Sequence, residues 1–170
     1  RPLHGASRGR VLLEALRLAW ESDGFLAQAM YRAKASLQRR GVPVLPRLLN
    51  RLAIATSGIY IGDPVGVHPA IHLAHGQIVI DAIAEVHSGA QIFPFVTIGL
   101  RAPSMIGPTI GPSAKIGSGA KVLGEVEVGA EAKVGANAVV LSDVPPGVTV
   151  VGVPARLAGA GSAEAGPDVG

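Results

Sequence analysis

The chain has 170 residues, 48% hydrophobic but only 4% aromatic, so it can build one sizeable core, and that core must come from Val, Ile, Leu and Ala. It has no Cys, which excludes disulfides and thiolate chemistry and leaves the redox compartment undetermined. The net charge of +3 conceals an asymmetry, since residues 1–51 carry ten Lys/Arg against three Asp/Glu and the remainder five against nine.

The first residues, Arg1-Pro2-Leu3-His4, lack a signal-peptide layout and a Met, so the chain reads as trimmed. No apolar run approaches the roughly 18 residues needed to cross a bilayer, and cytoplasmic residence is the default expectation. Residues 10–22 read as an amphipathic helix with Leu12, Leu13, Leu16 and Ala19 on one stripe. Asp23-Gly24 punctuates it. A second helix is expected over about 25–40, with Leu26, Ala27, Met30 and Tyr31 apolar. Arg39 and Arg40 suit its negative C-terminal end, and Gly41 supplies a left-handed cap. Pro43 and Pro46 separate it from a third helical stretch, about 46–56. Residues 1–56 therefore form a helical N-terminal segment. Its positive charge reads first as a solvated helical face, with an anionic partner or a membrane surface as sharper alternatives. Membrane association is disfavoured. So is nucleic acid, because the basic residues have almost no aromatic interleaving and match no nucleic-acid motif.

From Ile59 onward the period changes. Ile61, Val67 and Leu73 are six apart. The next step, to Ile80, is seven, and the extra residue lies in Ala74-His75-Gly76-Gln77. The series then runs Ile80, Val86, Ile92, Ile98, Ser104, Ile110, Ile116, Val122, Val128, Val134 and Val140, aliphatic everywhere except Ser104. A helix repeats every 3.6 residues and a flat strand every two, so a period of six points to short strands stacked in a solenoid. The expected fold is mainly β: a parallel β-helix over residues 57–159 behind the helical segment, with a flexible Gly- and Ala-rich tail at 160–170. If three hexapeptides make one coil, residues 18 apart stack, and Ile98, Ile116 and Val134 should share one internal ladder. Residues 99–109 keep the count and are either one degenerate hexapeptide or a loop of equal length.

The stretch IGSGAKVLGEVEVGAEAKVGANAVVLSDVPPGVTVVGVPAR, residues 116–156, resembles the C-terminal coils of the hexapeptide-repeat acyltransferases, most of all the serine O-acetyltransferases. The closing VVGVPAR is the specific part. The whole of residues 47–159 is similar to that family's left-handed β-helix. The resemblance implies O-acetyl transfer from acetyl-CoA to the hydroxyl of serine or a serine-like small acceptor, by direct attack on the thioester and without an acyl-enzyme. It further implies a homotrimer with active sites between neighbouring solenoids, and no metal. Two other readings stay open: transfer to a sugar or natural-product acceptor, and a catalytically silent trimeric scaffold.

The resemblance places the family's catalytic histidine on His75, in a His-Gly turn before the strand Ile78-Val79-Ile80. Imidazole suits a general base because its pKa lies near working pH. The aspartate that orients this ring in the family falls on Tyr60, fifteen residues earlier. A phenol can hydrogen-bond an imidazole but stabilises imidazolium less than a carboxylate does. The acidic residue before the histidine is Ala74 here, and the family's acceptor-site Arg-His pair falls on Ile106-Gly107. A glutamate of the family falls near Ala82, where the adjacent Asp81 can substitute. Arg101 is a candidate for an acceptor carboxylate, or simply an exposed loop arginine. For the cofactor the resemblance points to Ser118, Ala136 and Ser142 along one edge, and to Arg156 for the CoA phosphates. The remaining histidines are rivals. His68 and His72 have the spacing of a metal pair, but strands do not set i and i+4 on one face as a helix does. His87 stands where Gly is usual, and His4 lies outside the solenoid.

Overall fold

A computed structural model describes residues 8–63 and 65–158. His4, the tail at 160–170, and the side chains of Leu12, Leu16 and Ala19 lie outside the described residues; Leu13, the described member of the expected apolar stripe, is 69% exposed and so is not buried by it. Three helices come first: α1 (Arg8–Glu21), α2 (Asp23–Arg39) and α3 (Leu45–Ser57). Helix α2 starts at its capping serine, where Ser22 Oγ accepts from the Phe25 backbone N–H at 3.3 Å. Pro46 occupies the first turn of α3, where a missing N–H costs nothing.

Among the described residues, fifteen short strands follow and form three sheets that make the faces of a prism. The first face holds β1 (Ile59–Ile61), β4 (Ile78–Ile80), β7 (Thr97–Gly99), β10 (Lys121–Leu123) and β13 (Val139–Val140). The second holds β2 (Gly66–Val67), β5 (Ile83–Val86), β8 (Ile106–Ile110) and β11 (Glu127–Val128). The third holds β3 (His72–Leu73), β6 (Gln91–Ile92), β9 (Lys115–Ile116), β12 (Lys133–Val134), β14 (Thr149–Val151) and β15 (Arg156–Leu157). All pairings between coils are parallel, and only β15 turns back antiparallel on β14. This is a parallel β-solenoid, consistent with a left-handed β-helix. The six-residue series is its interior. Ile80, Val86, Ile92, Ile98, Ile110, Ile116, Val122 and Val128 are all 0% exposed, so each coil contributes one aliphatic per face to a continuous core. At about 25 cal/mol per Å² of apolar area, this stacking is the main stabilising term.

One ladder differs from expectation. Ile98 does not share a face with Ile116. It lies beneath Val122 on the first face, 24 residues on, whereas Ile116 pairs with Val134 on the third. The physical reason is that residues 100–105 are not a face. They leave the prism as a loop between β7 and β8, and β8 then pairs with β5 through Ile83–Ile106 and Val86–Ile110. The loop inserts six residues, so the aliphatic count survives while every later residue moves one face on. The extra residue near His75 has the expected consequence, since Ile61–Ile80 and Leu73–Ile92 are both 19 apart while Ile80–Ile98 is 18. Deleting residues 100–105 would restore an 18-residue coil. That variant is expected to stay soluble and melt cooperatively by circular dichroism, whereas a chain that fails to fold would contradict this register.

Helix α2 closes the lower end. Gly24 lies so near the first coil that a Cβ there would sit 2.1 Å from the Leu73 carbonyl oxygen. Three polar side chains then reach the first coil's open carbonyls. Gln28 Nε2 donates to Ile71 O at 3.4 Å, Tyr31 Oη to Val65 O, and Lys34 Nζ to Ile61 O at 3.0 Å. Lys34 is 3% exposed and also meets Asn50 Oδ1 at 3.2 Å and Asp63 Oδ1 at 2.8 Å, as a buried ammonium requires. Its hydrogen bond holds the Asp63 carboxyl below the usual carboxylate range. At the upper end, Val139 N–H donates to Gly152 O and Ala155 N–H to Val139 O, so the closing turn folds over the first face.

Candidate functional site

The corner between the third and first faces carries His75. In successive coils this corner is made by His75-Gly76, Phe93-Pro94-Phe95, Gly117-Ser118-Gly119 and Gly135-Ala136-Asn137. Backbone bonds stack these turns: Phe95 N–H donates to Gln77 O, Gly119 N–H to Pro94 O at 2.8 Å, and Asn137 N–H to Ser118 O at 2.9 Å. Each turn needs one residue in the left-handed region, and Gly76, with φ of 99°, supplies it beside His75. The structure therefore brings His75, Ser118 and Ala136 onto one exposed ridge. At about 4.8 Å per coil, His75 and Ala136 are roughly 14 Å apart along the axis.

Ser142 does not join them. It follows Val140 at the end of the first face and so lies at the next corner, between the first and second faces. There it lines a cleft with Val140, Val150, Ala155, Arg156 and Leu157. Ser142 and Arg156 thus belong together at the upper end of the solenoid, away from the Ser118–Ala136 ridge. The Arg156 guanidinium is exposed and donates to Ala155 O at 2.9 Å.

Tyr60 and Asp81 come together on the outside of the first face. Tyr60 stands between the buried Ile59 and Ile61 and is paired with Val79, two residues before Asp81. Burial, first, and then the Asp81 and Asp63 carboxylates push the Tyr60 phenol above its ordinary value. It is therefore neutral at working pH and can donate a hydrogen bond. Among the described residues no hydrogen bond joins Tyr60 or Asp81 to the His75 ring. Arg101 is exposed on the loop between β7 and β8, with its side chain over Gly124, and Ser104 N–H donates to its carbonyl at 3.2 Å. The first face thus separates Arg101 from the His75 ridge within one chain. Ile106 is 45% exposed and Gly107 is buried against Ala82 and Ala84, so no cation stands at this pair.

The rival histidines sort differently from their spacing. His72 is exposed on β3, and His68 stacks on His87 from the next coil instead of facing His72. The signal was the distance of 19 residues between His68 and His87, the length of the first coil.

Comparison with known proteins agrees with the repeat and the coil architecture. Residues 107–142 match the bacterial transferase hexapeptide family (six repeats). Soybean serine acetyltransferase is similar at 34% identity and a TM-score of 0.74, over 79% of this chain and 57% of that one. The Neisseria gonorrhoeae enzyme, in complex with serine, is similar at 32% identity and a TM-score of 0.73, over 79% and 56%. A serine acetyltransferase in complex with CoA has 32% identity and a TM-score of 0.72, over 79% and 56%. The chain spans a little over half the length of these relatives. No curated protein sequence matched. In repeat, coil architecture and sequence, the chain resembles the hexapeptide-repeat acyltransferases, and among them the serine acetyltransferases.

Proposed function

We propose that this chain is an acetyl-CoA-dependent O-acetyltransferase acting on the hydroxyl of serine or a serine-like small acceptor. The observation that carries the proposal is the ridge on which His75 heads a stacked row ending at Ser118 and Ala136. At Ser118 and Ala136 small side chains leave the backbone open to an extended pantetheine arm, which passes the exposed Phe95 of the intervening corner to span the roughly 14 Å between Ala136 and His75. The His75 imidazole takes the acceptor hydroxyl proton as the oxygen attacks the thioester carbonyl, and CoA leaves as its thiolate. The resulting imidazolium gives that proton to the thiolate, so CoA departs as its thiol and His75 returns to the neutral form. Tyr60 and Asp81 support the acceptor side from the neighbouring face, and Arg101 and Arg156 provide charge for carboxylate and phosphate groups. Because Arg101 and His75 flank opposite edges of one face, a homotrimer would bring one chain's loop to another's ridge. The exposed Val79, Ile83, Phe95 and Met105 give such an assembly apolar surface to cover.

A second reading has its own observation. The apolar Ile106 and the buried Gly107 stand where the family's acceptor site has an arginine and a histidine, and this favours an acceptor other than serine, such as a sugar or natural-product hydroxyl. Release of CoA from acetyl-CoA is measured with L-serine and then with a panel of hydroxylated acceptors. Turnover with serine supports the first reading, and turnover only with another acceptor selects the second. Silence with all of them leaves a trimeric scaffold.

A further inference from the structure

On the outside of the second face, two histidines and a glutamate from adjacent coils converge. Glu85 and His87 lie two apart at β5, so both point outward while Ala84 and Val86 point in. The register Gly66–Glu85 and Val67–Val86 carries His68 alongside His87. Backbone bonds fix both positions, His68 N–H to Val86 O and His87 N–H to Ile110 O, each 2.9 Å. Gly66, opposite Glu85, leaves the carboxylate room to swing over. The imidazole rings stack at 4.5 Å between centroids and 27° between planes. Glu85 Oε1 lies 2.8 Å from His68 Nε2 and 3.7 Å from His87 Nε2, and one ligand atom from each residue falls within 4.8 Å of the others.

An exposed ion pair alone gives this convergence little stability. A cation bound to all three side chains would join both histidines to the one carboxylate. For zinc, ligand bonds of about 2.0–2.1 Å place tetrahedral ligand atoms about 3.3 Å apart, and the carboxylate–imidazole separations of 2.8 and 3.7 Å straddle that value. Two imidazole nitrogens and one carboxylate oxygen suit a borderline divalent ion, whereas hard cations such as Mg²⁺ take oxygen donors. We infer that His68, Glu85 and His87 form a three-ligand site for Zn²⁺, with solvent completing the tetrahedron, that clamps the first coil to the second. The site sits on a different face from the His75 ridge. It is independent of the transfer chemistry, for which no metal is expected.

The test uses the tag-free chain, stripped with chelator and dialysed, then titrated calorimetrically with Zn²⁺ at neutral pH. The expected result is one Zn²⁺ per chain and a melting temperature that rises with Zn²⁺ concentration. His87→Ala and Glu85→Gln should each weaken binding at least tenfold. His72→Ala and His75→Ala should leave it unchanged. All four side chains are outside the core, and circular dichroism checks that each variant keeps the fold. No stoichiometric binding by the wild-type chain would overturn the inference. So would binding that survives His87→Ala and Glu85→Gln, or binding lost on His72→Ala or His75→Ala.

Discussion

Val128→Asp is expected to abolish the folded state. Val128 is 0% exposed, paired with Ile110 on one side and bridged to Val144 on the other. Its side chain points into a core built of aliphatics, where a carboxylate finds no partner. Burying it unpaired costs several kcal/mol, against a total stability of about 5–15 kcal/mol for a domain. The solenoid has no route around the damage, because each coil is supported mainly by its neighbours. The variant should be insoluble or lack a cooperative melt by circular dichroism. Val128→Ala, which only removes methyl groups, should lower stability by about 2 kcal/mol and still melt cooperatively. A soluble Val128→Asp chain with an unchanged melting temperature would refute the interior register.

His75→Ala is expected to lower acetyl transfer by about 10²–10⁴-fold, the usual contribution of a positioned general base. His75 is exposed on a corner outside the core, so the melting temperature should not move. The loss should fall on kcat more than on KM, because the ring acts on the proton in flight more than on acetyl-CoA binding. Steady-state CoA release at varied serine and acetyl-CoA, with a melt on the same preparation, checks both halves. Full activity in the variant would remove His75 from the mechanism.

The interior of the solenoid was legible because every coil imposes the same demand. An inward position on a narrow prism accepts an aliphatic and little else, so the period of six shows through all other variation. The extra residue beside His75 was legible for the same reason, as a break in that count. Four features were hidden, each with a physical cause. Ser118, Ala136 and Ser142 each stand two residues after an aliphatic and look equivalent along the chain. Consecutive hexapeptides occupy different faces, however, and only residues one whole coil apart share a corner, so Ser142 falls elsewhere. Residues 100–105 preserve the count while leaving the prism, and the period cannot distinguish a face from a loop of equal length. Lys34 looks like one more charge on a basic helix. Its burial depends on the open carbonyls of a coil that begins 25 residues later. The cluster of His68, Glu85 and His87 is of the same kind, since it exists only once two coils are stacked in register.

In the proposed function, the ridge headed by His75 carries out acetyl transfer. The most direct measurement is the rate of CoA release from saturating acetyl-CoA, with and without L-serine, for the wild-type chain beside His75→Ala. The proposal predicts release that depends on serine and disappears with the imidazole. Release that ignores the acceptor, or that persists in His75→Ala, would contradict it.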